Sequence, residues 1–307
     1  MKEQDMTFQA DPALVEQVIL PAVRDLGGFD VRRALPSVQR RMVGPFAFFD
    51  AFGPAVFRSG EGVDTRPHPH IGLATLTYLI EGELDHRDSE GYFQTIRPGE
   101  VNLMTAGRGI VHSERSGQGF RDREARMFGF QTWLALPLEL EEADPGFKHV
   151  EAGALPSLAE DGVHLKLLAG SLAGVTSPTP IFSETLYADL QLGAGKRFKL
   201  ASDHIERAAY VVSGEVEVEG QDGRFIKDQL IVFKPGSEIV LRAASDTRVM
   251  LMGSEPLEGE RHIYWNFVSS RLERIEQAAD DWRSGRFPMV AGDPEFIPLP
   301  ATAPRAA

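Results

Sequence analysis

The sequence predicts an all-β protein made of two similar units, with one short helix near the C-terminus. Three observations carry this expectation. Short apolar runs are punctuated by glycine and proline turns from about residue 40 to 136, and again from about Val163 to Met252. One run echoes the other: Tyr78-Leu79-Ile80-Glu81-Gly82-Glu83 returns as Tyr210-Val211-Val212-Ser213-Gly214-Glu215, each with a Pro-Gly pair downstream (Pro98-Gly99, Pro235-Gly236). Between them lies an acidic, weakly patterned stretch, residues 137–160, that reads as a linker. The expected units are therefore residues 1–139 and 140–307.

In chain order, residues 1–30 read as a helical or irregular lead-in, with Asp11-Pro12 as a helix start. The Phe46-Ala47-Phe48-Phe49 run reads as core. Ala74, Leu76, Tyr78 and Ile80 alternate with Thr75 and Thr77, which predicts an antiparallel sheet with one buried face. Glu215-Val216-Glu217-Val218-Glu219 alternates charge and valine, as a strand with one wet face would. Ser270-x-x-Glu273 has the capping-box pattern, in which serine and glutamate side chains satisfy free N–H groups of a first helical turn. Leu272, Ile275, Ala279 and Trp282 follow at helical spacing, and Gly285 offers a stop. Beyond Phe287 the chain is Pro-rich and is expected to run over the surface.

Composition narrows the chemistry. With 307 residues, 42% of them apolar, the chain can bury a large core. It holds no cysteine, which excludes disulfide frameworks, iron–sulfur clusters and thiol nucleophiles, so any metal must be held by nitrogen and oxygen. A formal charge of −13 argues against a nucleic-acid partner. Arg32-Arg33, Arg40-Arg41 and Arg121/Arg123/Arg126 are expected to be solvated or paired with carboxylates. No run approaches the roughly 20 apolar residues of a membrane span, and no basic–apolar leader is recognisable. A cytoplasmic location is the expectation.

The histidines carry the functional signal. His68 and His70, in Arg66-Pro67-His68-Pro69-His70-Ile71-Gly72, lie two apart and would project from one face of a strand. His112 and Glu114, in Gly107-Arg108-Gly109-Ile110-Val111-His112-Ser113-Glu114, would do likewise. Brought onto facing or adjacent strands, the two pairs converge as three imidazoles and a carboxylate. Pro67 and Pro69 bias their neighbours towards extended backbone and cannot donate to a ladder, so this segment belongs at a strand start or sheet edge. Gly72 and Ala74 leave room beside the imidazoles. Such a set suits iron, and also copper, nickel, manganese or zinc. His86, His149, His164, His204 and His262 lack such company and read as structural.

At these residues the chain resembles the pirin family of the cupin superfamily. Arg40-Arg41-Met42-Val43-Gly44-Pro45-Phe46 through Phe48-Phe49-Asp50-Ala51-Phe52-Gly53-Pro54 is similar to the family's opening segment. His68-Pro69-His70-x-Gly72 and Thr105 to Glu114 match its two metal motifs, and Phe128-Gly129-Phe130-Gln131-Thr132-Trp133 resembles the strand that closes its first domain. The resemblance implies a bicupin, two antiparallel jelly-roll β-barrels, with one divalent ion, Fe(2+), held in the first by His68, His70, His112 and Glu114. It implies either of two roles. One is quercetin 2,3-dioxygenase activity, opening a small flavonol-like aromatic with O₂ and releasing carbon monoxide, with Glu114 doubling as the base. The other is a redox-dependent regulatory protein that binds a transcription factor or metabolic enzyme. Departures are Ala74, where the general cupin motif has glutamate, and Ala51, where many relatives have histidine. Leu200 and Ser202 stand where a second His-x-His would fall, so the second barrel is expected to hold no metal.

Overall fold

Glycine and proline turns divide the chain into strands at the predicted places, and nearly every strand pairs antiparallel with a neighbour. The structure, a computed structural model, describes residues 13–25 and 29–301. The first barrel has a sheet of seven strands. Their order is Gly146–Val150, Val101–Thr105, Leu73–Glu81, Ala125–Ala135, Phe46–Phe57, Asp30–Leu35 and Ala22–Asp25. A smaller sheet faces it, ordered Asp64–His70, Ile110–Arg115, Leu84–Asp88 and Phe93–Ile96. The second barrel repeats this plan, with a large sheet centred on Glu206–Ser213 and Thr247–Ser254 and a smaller one of four strands. The result is the expected all-β bicupin.

The two large sheets pack back to back. Phe49, Leu76, Tyr78 and Phe130 of the first meet Tyr187, Tyr210, Val232 and Met250 of the second in one apolar cluster. The two tyrosines of the repeat both lie in this layer. Tyr78 Oη donates to Asp189 across the interface at 2.7 Å, and Arg248 Nε donates to the same carboxylate at 2.8 Å. This layer corrects one expectation. Both faces of Leu73–Glu81 are buried, Thr75 and Thr77 included, because its outer face meets the second barrel and its inner face lines the first.

Three further readings change. Where it is described, the lead-in is extended and neither helical nor irregular: Val15–Ile19 pairs with Leu230–Phe233 of the second barrel, and Ala22–Asp25 pairs with Asp30–Leu35. Short Val/Ile-bearing segments find open sheet edges there, and Asp11-Pro12 lies outside the described residues. The 137–160 stretch is ordered, giving Gly146–Val150 to the first sheet and Ser157–Glu160 to the second, with Leu155 buried. The helix forms over Leu272–Arg283, with Ile275, Ala279 and Trp282 buried and Gly285 following at φ +67°. Its capping box does not form: Ser270 turns instead to buried Glu141, donating from Oγ at 2.9 Å and from its backbone N–H at 2.9 Å. The tail runs over the surface as expected and is anchored there. Ile297 N–H donates to Pro67 O at 2.8 Å, and Trp282 Nε1 donates to Ile297 O at 3.0 Å. Arg115 clasps Asp293 through Nε and Nη2, both at 2.9 Å.

The arginine groups behave as expected. Arg32, Arg33, Arg40, Arg121 and Arg126 each pair with a carboxylate. No described helix is long and apolar enough to cross a membrane.

Candidate metal centre

Asp64–His70 is an edge strand of the smaller sheet, as Pro67 and Pro69 require. It pairs antiparallel with Ile110–Arg115, and the register sets His112 opposite His68 and Ile110 opposite His70. The period of two then turns all three imidazoles to one side. Their ligating nitrogens lie within 4.8 Å of one another, and all three rings are buried. A register shift between His112 and Glu114 re-aims the carboxylate. Glu114 is half-buried, lines the same cavity as His68 and His70, and stands outside the compact triad.

Hydrogen bonds fix which nitrogen of each ring faces inward. His68 Nδ1–H donates to Arg66 O at 2.9 Å, and His70 Nδ1–H donates to Asn266 O at 3.1 Å. His112 Nδ1 faces His86 Nδ1 at 3.4 Å. His70 Nε2 is therefore unprotonated, and it faces His112 Nε2 at 3.1 Å. The spacing suits two ligands about 2.0–2.1 Å from one ion. The donor set fits a divalent metal.

Burial pushes the His68 imidazole down to about 4, and burial with neighbouring imidazoles holds His70 and His112 well below the ordinary range. The triad is therefore neutral at pH 7, the state that ligates. A stability signature follows. The unfolded chain protonates His68 near pH 6.5 and the folded chain only near 4, so its contribution is full above 6.5 and is lost as pH falls towards 4. In metal-free protein, urea titrations should show wild type losing on the order of 3 kcal/mol relative to His68→Gln between pH 7 and 4. A difference that does not change with pH would contradict a neutral, buried His68.

Burial raises the Glu114 carboxyl, opposed by His86, Thr77 and Gln131. Its Oε1 lies 3.3 Å from Thr77 Oγ1 and accepts from Gln131 Nε2 at 3.4 Å. A cavity of about 430 Å³ opens beside the triad, its lining including Phe48, Trp133 and Ile297. Phe48 stacks on Trp133 at 4.0 Å and carries the Arg33 guanidinium, which lies 4.3 Å from its centroid. Arg33 in turn holds buried Asp50 by two bonds of 2.9 and 2.8 Å.

Several of these residues escaped sequence reasoning. The Phe46–Phe49 run splits: Phe46 and Phe49 enter the inter-barrel core, whereas Phe48 lines the cavity. His86, read as structural, lies against His112. Asn266 and Ile297 come from far along the chain and carry no motif. His149 does behave as structural, bonding Asn102 Oδ1 at 2.7 Å. In the second barrel Leu200 lies in an aliphatic core and Ser202 is exposed. Glu184, His204 and Glu255 also bring ligand atoms within 4.8 Å, at more exposed positions.

Two stacked antiparallel barrels, one of them enclosing a neutral histidine triad, define a bicupin with a site able to hold a metal ion. Residues 28–134 match the family model described as Pirin, and residues 187–288 the one described as Pirin C-terminal cupin domain. The chain belongs to the pirin family. A Pirin-like protein of Caulobacter vibrioides is 50% identical over 281 residues, 90% of this chain and 96% of that protein. A crystal structure of quercetin 2,3-dioxygenase from Acinetobacter baumannii superposes with a TM-score of 0.86 at 34% identity, covering 95% of this chain and 97% of that one. A bacterial pirin of Escherichia coli in complex with nickel(II) shares the fold at 20% identity and a TM-score of 0.61, over 78% and 99% of the two chains.

Proposed function

We propose that this pirin is a metal-dependent dioxygenase that opens flavonol-type aromatics with O₂, as quercetin 2,3-dioxygenase does. His68, His70, His112 and Glu114 would hold a single Fe(2+) in the first barrel of a cytoplasmic protein. The observation that supports this reading most is the convergence of three buried imidazoles, beside a cavity walled by Phe48 and Trp133. The similarity to the Acinetobacter baumannii enzyme supports the choice of reaction. The ion, when bound, supplies Lewis-acid stabilisation of an enolate oxygen and a site for O₂.

The chain's own residues do the remainder. The Phe48–Trp133 stack gives the cavity an apolar wall that suits an aromatic substrate, and burial keeps competing water away from it. Glu114 takes the enolic proton. Its buried setting raises its affinity for that proton, and Thr77 and Gln131 both address Oε1, leaving Oε2 for the substrate. A cation held beside the carboxylate would lower that affinity, against the rise that burial gives.

Protein loaded anaerobically with Fe(2+) should consume O₂ and release carbon monoxide when given quercetin. Glu114→Gln should retain metal through the three imidazoles and lose turnover by about 10²–10⁴-fold. Fully loaded wild type that releases no carbon monoxide from any of several flavonols would overturn the reaction.

A further inference from the structure

We propose that Asp88 and His86 are positioning residues that fix the tautomer of His112 and strengthen its metal-facing nitrogen. The inference rests on the metal reading above and extends it to a residue pair outside the four ligands.

Leu84–Asp88 pairs with Ile110–Arg115 on the side away from Asp64–His70, with Asp88 opposite His112 and His86 opposite Glu114. Both side chains are buried, at 4% and 2% exposure for His86 and Asp88. A buried carboxylate needs compensation, and Asp88 finds it without an Arg or Lys partner among the described residues. Its Oδ1 accepts the backbone N–H groups of Glu90 at 3.0 Å and Tyr92 at 3.1 Å, and its Oδ2 lies 2.9 Å from His86 Nε2.

These bonds set the protons in order. An ionised carboxylate only accepts, so His86 carries its proton on Nε2 and presents Nδ1 as an acceptor. That acceptor faces His112 Nδ1 at 3.4 Å, so the single proton of neutral His112 sits on Nδ1. Nε2 of His112 is thereby left bare beside the His70 nitrogen. Phe147 stacks on His86 at 4.5 Å and 21°, holding the ring plane. The arrangement also leaves His86 no nitrogen for the ion, since Nε2 is engaged by Asp88 and Nδ1 faces the outer nitrogen of His112.

His112 differs from its two companions in this respect. His68 and His70 donate to neutral backbone carbonyls, whereas His112 is linked through an imidazole to a buried negative charge. Such a link makes the imidazole a stronger donor and favours the more highly charged state of a redox metal. Asp88→Asn tests this without changing shape. An amide that donates to His86 Nε2 would shift the His86 proton to Nδ1, and His112 would then carry its proton on Nε2, where the metal should bind.

The experiment is a Co(II) titration and an Fe(III)/Fe(II) potential measurement on the full chain. Wild type, Asp88→Asn, His86→Leu and His86→Gln are compared, with circular dichroism to verify folding. Asp88→Asn and His86→Leu should weaken Co(II) binding by about 10–100-fold. They should also raise the potential, by about 59 mV for each tenfold loss of preference for Fe(III). His86→Gln, whose amide can both donate to Asp88 and accept from His112, should recover part of each effect. Wild-type affinity and potential in a folded Asp88→Asn variant would overturn the proposal. Wild type that binds no Co(II) would overturn the metal reading beneath it.

Discussion

His112→Ala should abolish metal binding and, with it, every metal-dependent activity of the protein. His112 is fully buried, sits opposite His68 in the strand register, and shares the 3.1 Å contact with His70. Its removal leaves two imidazoles and takes away the nitrogen that Asp88 and His86 orient. Changes around a ligand typically cost 10–100-fold in affinity, so losing the ligand itself should cost more than about 100-fold. Elemental analysis after equilibration with Fe(2+) should fall from one equivalent per chain to background, with the β-sheet circular dichroism signal retained. A full equivalent in the variant would place the ion elsewhere. The Glu184–His204–Glu255 group would be the first place to look.

The ligand motifs were legible because they obey two short-range rules. Side chains two apart share a face, and proline cannot donate to a ladder, which put His68 and His70 together on an edge strand. His86 and Asp88 obey the same spacing rule, yet nothing local distinguishes them from a structural pair. Only the strand order, which sets Leu84–Asp88 beside Ile110–Arg115, gives them a role. Phe48 was hidden for a similar reason. Its neighbours Phe46 and Phe49 face the second barrel, and from sequence that layer is indistinguishable from an ordinary core. The capping box failed through competition: Glu141, buried beside Arg261 at 2.9 Å, accepts the Ser270 backbone N–H that Glu273 would have taken and draws the Ser270 hydroxyl to itself. The tail is held by backbone N–H and carbonyl groups at Ile297 and Pro67, which every residue but proline can offer in full, so composition could not reveal it.

Gly72 shows the same limit and supplies a sharper test. Read as a space-saving residue beside the imidazoles, it has a stricter reason to be glycine. Its φ is +67°, and a Cβ there would come 1.9 Å from Val268 O. The strand Phe267–Ser269 lies directly against it, with Ile71 bridged to Phe267. Asn266, which precedes that strand, supplies the carbonyl that orients His70. Gly72→Ala should therefore act twice. The left-handed backbone costs about 1–3 kcal/mol for a non-glycine residue, and relieving the overlap must push Phe267–Ser269 outward and draw Asn266 from His70. Gly91→Ala isolates the first cost, because Gly91 has φ +91° and open space around its Cβ position. Chemical denaturation should show Gly72→Ala losing at least about 1 kcal/mol more than Gly91→Ala, since overpacked sites typically cost 1–3 kcal/mol. Co(II) affinity should fall only in Gly72→Ala. Equal stability losses, or unchanged Co(II) affinity in a destabilised Gly72→Ala, would mean that the C-terminal strand does not hold His70 in place.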